Sequence, residues 1–326
     1  MPNLPPMSGS PQTLLVALAV DALVGEPDAL YRRVPHPVVL LGRAVDALDR
    51  RLNHDEEDAE RRRVAGIAAC FVLVAASLLI GWIAHAIHGA LPGGWIVEAL
   101  LLSAFLAQNS LYRHVGDVAR ALATEGLAGG RRAVARIVGR DPESLDEAGV
   151  SRAALESLAE NFSDGVTAPL FWALLLGLPG IIAYKAVNTA DSMIGHRTPR
   201  HLAFGWAAAR LDDLLNLVPA RLAGIVILGA AFALPDASPA GALRAMRRDA
   251  RKHRSPNAGW PEAAMAGALG LALAGPRRYG SEIVDDHWMN AGGRTGATGG
   301  DIRRGLSLYT VACILQAAAV ALIALV

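Results

Sequence analysis

The stretch VAGIAACFVLVAASLLIGWIAHAIHGAL, residues 64–91, contains no Asp, Glu, Lys or Arg. A helix needs roughly 20 consecutive apolar residues to cross the hydrocarbon core of a bilayer, and this run is longer. In lipid, backbone N–H and C=O groups must be satisfied within the segment, which an α-helix does. The stretch therefore predicts a transmembrane helix.

More apolar runs follow along the chain. Residues 306–326 and 166–184 carry no charged side chain, and residues 95–111 and 214–235 carry one each. Overall, 53% of the residues are hydrophobic and 19% are charged, which is too little charge to cover a soluble fold of 326 residues. Because no sustained alternation of period two occurs, we expect an all-α, polytopic membrane bundle with roughly five to eight membrane segments.

Three of the apolar runs are expected to be irregular or short. Prolines and glycines interrupt residues 166–184, which predicts a hinged or re-entrant helix pair. Residues 14–24 are predicted to form a first span or a helix in the membrane interface. Residues 263–274 are too short to span and are expected to be buried against other helices.

We expect one integral membrane domain over residues 1–326. Its polar loops are predicted at residues 25–63, 112–165, 185–213, 236–262 and 276–305. The loops flanking the hairpin 91–94 are rich in arginine, and the hairpin has no positive charge. The positive-inside rule therefore places the polar loops in the cytoplasm and the protein in the cell (inner) membrane. A net charge of +1 argues against a nucleic-acid partner.

Three polar clusters adjoin apolar segments. The first contains Glu160, Asn161 and Asp164. On a regular helix, Glu156, Glu160 and Asp164 would share one face, where like charges repel unless a cation lies between them. A hydrated Mg²⁺ would satisfy such a face. The alternative is a helix end with solvated acids.

The second cluster contains Lys185, Asn188, Asp191 and Ser192. Spacings of three and four residues place these side chains on one helical face. The cluster directly follows an apolar run, where charged groups are costly and usually functional. A structural ion pair is the alternative.

The third cluster contains Arg210, Asp212, Asp213, Asn216 and Arg221. Amide and carboxylate residues thus recur three positions apart in all three clusters, a pattern that suits metal-bound phosphate better than lipid contact. Arg221 enters an apolar stretch, where it is expected to snorkel, to pair with Asp213 or to bind a phosphate.

Two further candidates for substrate binding are His36, which lies between two prolines, and Asn257, which lies in a turn-rich segment. Alone, each position is more typical of a structural role. The chain has neither a G-x-x-x-x-G-K-[ST] loop nor a Rossmann glycine fingerprint, so any nucleotide site would be built differently.

Several motifs, in order along the chain, resemble the CobD/CbiB family of cobalamin biosynthesis. They are ESLAENFSDGVTAPLFW (156–172), YKAVNTADSMIG (184–195), FGWAAARLDD (204–213), NLVPARL (216–222) and SPNAGWPE (255–262). The opening residues GEP (25–27) and HPV (36–38) are similar to that family as well. The resemblance covers nearly the whole chain and is weak at residues 50–63 and 285–301.

This resemblance implies an adenosylcobinamide-phosphate synthase. Such an enzyme forms an amide between a propionate carboxylate of adenosylcobyric acid, the corrinoid substrate, and (R)-1-amino-2-propanol or its O-phosphate. A carboxylate is a poor electrophile, so ATP with Mg²⁺ is expected to activate it. The resemblance gives neither the choice between the two amines nor the oligomeric state.

Residue roles follow as hypotheses from the resemblance and the clusters. Glu160, Asp164 and Asp191 would hold the Mg²⁺–nucleotide. Lys185, Arg210 and Arg221 would neutralise phosphates, and Asp212 or Asp213 would bind the substrate ammonium and later take its proton. The expected catalytic residues are Glu160, Asp164, Lys185, Asp191 and Arg210. The expected substrate-binding residues are His36, Asn161, Asn188, Ser192, Asp212, Asp213, Asn216, Arg221 and Asn257.

Two rival functions stay open. Broken helices and Arg221 within an apolar stretch are also consistent with a transporter for an anionic metabolite, although the acid-rich polar loops are not. Residues 164–168 begin the motif of an intramembrane phosphotransferase, but Pro169 stands where that motif has an arginine and its later aspartates are missing.

Overall fold

A computed structural model describes residues 9–138, 142–279, 282–284 and 286–325. Within these ranges the chain forms the α-helices α1 (Pro11–Leu23), α2 (Asp28–Tyr31), α3 (Pro37–Leu52), α4 (Ala59–Gly89), α5 (Gly94–Ser103), α6 (Gln108–Val134), α7 (Glu147–Phe162), α8 (Ala168–Ile194), α9 (Trp206–Leu215), α10 (Leu217–Ala231), α11 (Pro239–Asp249), α12 (Gly259–Leu269) and α13 (Gly299–Ile323). A π-helical turn, Ser163–Thr167, joins α7 to α8.

The described β-structure consists of four short strands, β1 (Leu273–Ala274), β2 (Arg277–Tyr279), β3 (Glu282–Val284) and β4 (Trp288–Met289), and an isolated bridge between Leu271 and Arg294. The strands β1 and β4 pair antiparallel, with Leu273 opposite Met289. The strands β2 and β3 also pair antiparallel, with Arg277 opposite Val284. The sequence pattern does not predict these strands, because they are too short to show an alternation.

Four described helical stretches are long and apolar enough to cross a membrane: Ala59–Gly89, Gly94–Val134, Glu147–Ile194 and Gly299–Ile323. A fifth span results if Trp206–Leu215 and Leu217–Ala231 count as one bent span. The all-α membrane bundle is thereby confirmed, with a segment count at or just below the lower end of the expected range. The helix α1 has 13 residues, about 20 Å of helix, which is too short to span.

The chain divides into two compact units. Unit 1 comprises Met1–Ala107, Ala168–Asn216 and Val320–Val326, and unit 2 comprises Gln108–Thr167 and Leu217–Ala319. Each unit has its own apolar core. Much of the sequence expected as polar loops is helical, since α3, α6, α7, α9 and α11 all begin within or next to those ranges.

In unit 1, α4 buries only a narrow stripe of its surface. The buried residues of this helix are Gly66, Ala69, Leu73, Ser77 and Gly81. The glycines allow close approach: a Cβ on Gly66 would overlap the Phe204 carbonyl, and one on Gly81 would lie 2.5 Å from Cα of Pro179 in α8. Most other side chains of α4 are apolar and exposed, which is typical of a helix surface that faces lipid.

The helix α8 is kinked at Gly177, where φ is +61°, and Pro179 follows within the helix. A positive φ favours glycine, and proline removes a backbone hydrogen bond, so the sequence concentrates the break here. The predicted interruption of residues 166–184 is confirmed. On the C-terminal side of the kink, α8 continues without a break to Ile194 and carries the second polar cluster.

A polar pair joins α4 to α5 across the turn at residues 90–93. Nδ1 of His85 and Oε1 of Glu98 lie 2.9 Å apart, and both side chains are largely buried. The partner of His85 is thus the single acid of residues 95–111. Pairing explains how that acid is accommodated beside an apolar helix.

In unit 2, α12 is the central element. It packs on α10 and α11 and also contacts α7, and its residues from Pro261 to Leu269 are buried. The prediction that the apolar stretch 263–274 begins as a buried helix is confirmed. Phe162 of α7 packs edge-on against Tyr309 of α13, with ring centroids 5.6 Å apart.

Candidate functional site

The helices α8 and α9 bring polar side chains of unit 1 together. On α8, Lys185, Asn188 and Asp191 follow one another at intervals of three residues and therefore share a face. The helix α9 packs on α8 and supplies Asp212. The second cluster thus meets the part of the third cluster that lies in unit 1, whereas Arg221 lies in unit 2.

Asp212 is the centre of this arrangement. Its side chain is buried, with 8% of the residue exposed. Nδ2 of Asn188 donates to Oδ1 at 3.2 Å, and Nδ2 of Asn216 donates to Oδ2 at 3.0 Å. The Tyr184 hydroxyl donates to Oδ1 of Asn216 at 2.9 Å and fixes the orientation of that amide. These four side chains form a continuous hydrogen-bonded network.

The charges around Asp212 are mainly negative. The carboxylates of Asp191 and Asp213 both act on it. Asp213 lies 3.2 Å from Nη1 of Arg210 in a salt bridge at the surface. Among the described residues, no lysine or arginine forms a salt bridge with Asp212, so both of its side-chain bonds come from neutral amides. Such a group can accept a proton or an ammonium ion.

His36 lies at the start of α3 in the same unit. Its Nδ1 accepts the Val38 N–H at 3.2 Å, so in the neutral ring the proton is on Nε2. Burial lowers the pKa of His36; the charge of Glu26 raises it and that of Lys185 lowers it, with a net downward shift. Nε2 is buried without an acceptor among the described residues.

The hydroxyl of Ser192 bonds its own helix, donating to the Asn188 carbonyl at 2.9 Å. It is exposed and makes no described bond to Asp212. Ser192 therefore follows the polar face of α8 but is outside the network around Asp212.

The first cluster lies in unit 2 and is not a uniform acidic face. Oε1 of Glu156 accepts the Ala274 N–H at 2.9 Å and so holds β1, which is a structural role. Glu160 is exposed, and Asp164 is half-buried in the π-helical turn. A π-helical turn holds more residues than an α-helical one, which changes the register between Glu160 and Asp164. Nδ2 of Asn161 donates to the Ser157 carbonyl at 2.9 Å.

Unit 2 also brings Arg221 and Asn257 together, two residues predicted separately. Nη1 of Arg221 donates to Oδ1 of Asn257 at 2.8 Å, and the guanidinium lies 4.8 Å from the centroid of the Trp260 ring. The alternative of a pair between Arg221 and Asp213 is not among the described salt bridges. Sequence reasoning missed Trp260 and Tyr184, although both lie inside the quoted motifs.

The predicted metal ligands fall in different units, Glu160 and Asp164 in unit 2 and Asp191 in unit 1. Within the described part of the chain, no group of three or more His, Cys, Asp or Glu side chains is arranged to hold a metal ion. The assignment of these three residues to Mg²⁺ therefore stays a prediction.

The fold and this network define an all-α integral membrane protein with a buried acid–amide site at a helix break. The chain matches the family model described as CobD/Cbib protein over residues 14–309. No solved structure gives a significant match.

Relatives of this chain are named cobalamin biosynthesis protein CobD. The chain is 51% identical over 315 residues to the one from Sinorhizobium sp, covering 96% of this chain and 98% of that protein. It is 49% identical to the one from Rhizobium meliloti (strain 1021), covering 96% of each, and 48% identical to the one from Rhodobacter capsulatus, covering 91% of each. The chain therefore belongs to the CobD/CbiB family.

Proposed function

We propose that this chain forms the amide bond between a propionate carboxylate of adenosylcobyric acid and (R)-1-amino-2-propanol or its O-phosphate. The observation that supports this most directly is Asp212, a buried carboxylate whose side-chain hydrogen bonds within the described part of the chain all come from neutral amides. Amide formation needs a group that binds an ammonium ion and then takes a proton from it. Asp212 has the negative charge that this role requires, and no lysine or arginine of the described residues forms a salt bridge with it.

The proposed step assigns the proton explicitly. The substrate ammonium binds to Asp212, with the charges of Asp191 and Asp213 favouring its approach. Asp212 first takes one proton from the ammonium, which leaves a neutral amine. As this amine nitrogen attacks the activated carboxyl carbon, the C–N bond forms, and the second N–H proton passes to the leaving oxygen or to water. The leaving oxygen departs with the electrons of the C–O bond. Asn188 and Asn216 hold the carboxylate in one orientation throughout.

ATP with Mg²⁺ would supply the activation of the carboxylate, because direct condensation is unfavourable at neutral pH. Glu160, Asp164 and Asp191 remain sequence-based candidates for the metal, and no part of the proposed proton transfer is assigned to them. Lys185, Arg210 and Arg221 are proposed to neutralise phosphate groups, which guanidinium and ammonium groups do by charge-assisted hydrogen bonds.

The active-site face is proposed to lie on the cytoplasmic side of the inner membrane. The support for this orientation is the arginine content of the polar segments on either side of the hairpin 91–94. Cysteine labelling of that hairpin in intact and in permeabilised cells would measure it. A hairpin labelled only after permeabilisation would reverse the orientation.

The reaction is tested with the purified full-length protein in lipid. Adenosylcobyric acid, Mg²⁺-ATP and one amine are mixed, and the amide product is measured by mass spectrometry, first with free aminopropanol and then with its O-phosphate. The proposal expects product with at least one amine and ATP consumption that requires both substrates. A folded protein that yields no amide with either amine would refute it.

The transporter is the second candidate, and one observation favours it: the kink at Gly177 within a membrane stretch. Substrate-dependent flux into sealed vesicles, without covalent change of the solute, would support transport. Amide product without flux would eliminate it.

A further inference from the structure

Three consecutive arginines begin the long helix α4, and their side chains are used differently. Nε of Arg61 lies 3.8 Å from Oδ2 of Asp58. Arg62 is nearly buried, donates to the Asn53 side chain at 2.8 Å and to the Arg200 carbonyl, and pairs with Asp55. Two of the three positive charges are therefore engaged by the protein itself.

Arg63 is the exception. Its guanidinium carbon lies 3.9 Å from the centroid of the Trp206 ring, which is a cation–π contact. No carboxylate of the described residues lies within salt-bridge distance of Arg63, although Glu60 is one turn earlier on the same helix. The charge of Arg63 is thus held in place by an aromatic ring and is not neutralised by a bonded acid.

Arg63 and Trp206 stand at a groove of about 820 Å³ in unit 1. Its apolar wall includes Val64, Ile67 and Leu202, whose exposed fractions are 61%, 47% and 60%. Volumes of this order accommodate amphipathic small molecules. Nothing in the described part of the chain covers these three side chains.

The order of polar and apolar groups along the groove matches the order in a phospholipid. Arg63 directly precedes the charge-free stretch 64–91, and Ile67 lies one turn, about 6 Å, further into that stretch. Basic and tryptophan side chains at this level are typical of the membrane interface. A phosphate at Arg63 would leave an acyl chain against Val64 and Ile67.

We propose that this groove is a binding site for an anionic phospholipid, with Arg63 on the headgroup phosphate and the apolar wall on an acyl chain. Glu60 would repel the lipid phosphate, but its side chain is exposed to water, which screens its negative charge. The site lies outside the acid–amide network and does not depend on the proposed reaction.

The test compares Arg63→Gln with the control Arg61→Gln. The control also removes one positive charge, two residues earlier in the chain, but Arg61 pairs with Asp58. Full-length protein is equilibrated with phosphatidylglycerol and phosphatidylcholine in equal amounts, and bound lipids are counted by native mass spectrometry. Wild type and Arg61→Gln are expected to retain phosphatidylglycerol preferentially. Arg63→Gln is expected to lose about fivefold of that preference, the effect of one basic residue near an anionic surface.

Thermal unfolding in detergent is measured as a control, and both variants are expected to fold. A second variant, Leu202→Ser, removes part of the apolar wall and is expected to weaken retention of both lipids. Equal loss in the Arg61 and Arg63 variants, or no loss in either, would overturn the proposal. Displacement of the lipid by adenosylcobyric acid would also overturn it, because the groove would then belong to the corrinoid.

Discussion

Two buried aspartates, one in each unit, differ sharply in what surrounds them. In unit 1, Asp212 is bonded by the neutral amides of Asn188 and Asn216. In unit 2, the side chain of Asp249 is 1% exposed and accepts bonds from Arg248, from the Asn290 N–H and from His287. Both carboxylates are desolvated, but only Asp249 is matched by an adjacent cation.

This difference in bonded partners indicates a structural role for Asp249 and a reactive role for Asp212. Burial alone would raise the pKa of Asp249, but the bonds from Arg248, from the Asn290 backbone and from His287 hold that pKa below its usual value. A carboxylate stabilised in this way remains charged and fixes the end of α11. Asp212 has no such cation among the described residues, which leaves its charge available for a ligand.

The largest expected effect is on catalysis by Asp212→Asn. Asparagine preserves the shape of the side chain but cannot take a proton, so turnover should fall about 100- to 10,000-fold, the contribution of a general base. Amide product per enzyme is measured under saturating substrates. The control is Asp46→Asn, the same change at an exposed acid of unit 1, which should retain full activity. Normal turnover in Asp212→Asn would remove this residue from the chemistry.

The next effect is on stability, by Asp249→Asn. Losing charge-assisted bonds should cost about 1–3 kcal/mol of unfolding free energy at pH 7. Because the folded pKa of Asp249 is lowered, its contribution is complete above the unfolded value of about 4 and is lost as pH falls through the folded pKa. The difference between wild type and variant should therefore shrink in acid.

Thermal unfolding in detergent, repeated from about pH 3 to about pH 7, measures the difference in stability between wild type and Asp249→Asn. The matched control is Asp236→Asn, at an exposed acid of unit 2. A stability difference that stays constant through acid pH would show that Asp249 stabilises the protein without its charge.

The smallest effect is expected for Tyr184→Phe. This change removes the hydroxyl that orients Asn216 and leaves the ring in place. One hydrogen bond contributes about 1 kcal/mol, so turnover should fall about fivefold. Tyr112→Phe, at an exposed tyrosine, is the control. A loss as large as that of Asp212→Asn would instead indicate that the phenol contacts the substrate.

Much of the fold follows from the sequence, because long charge-free runs have few alternatives to membrane helices. The break at Gly177 was also predictable, since glycine and proline concentrate there. The sequence left a range for the number of spans, because α1 and α12 are apolar but short. Burial in protein rather than lipid makes such helices stable, and a single sequence does not show which neighbours cover them.

The candidate site was predictable in composition but not in arrangement. Spacing on one helix indicated the face of Lys185, Asn188 and Asp191, whereas the bonds of Asn188 and Asn216 to Asp212 depend on tertiary packing. The prediction of an acidic face that includes Glu156 was wrong in part, because the carboxylate of Glu156 accepts a hydrogen bond from the backbone of β1. The assembly of Glu160, Asp164 and Asp191 around one metal ion remains a prediction.

The narrow buried stripe of α4 has a consequence for how this helix tolerates change. Lipid accepts any hydrophobic side chain, so positions such as Phe71, which is 73% exposed, should be freely exchangeable among large apolar residues. At Gly66 and Gly81, by contrast, even an added methyl group meets a neighbouring backbone. Saturation mutagenesis of α4 should therefore show that its buried small residues tolerate few substitutions, whereas its exposed positions tolerate many.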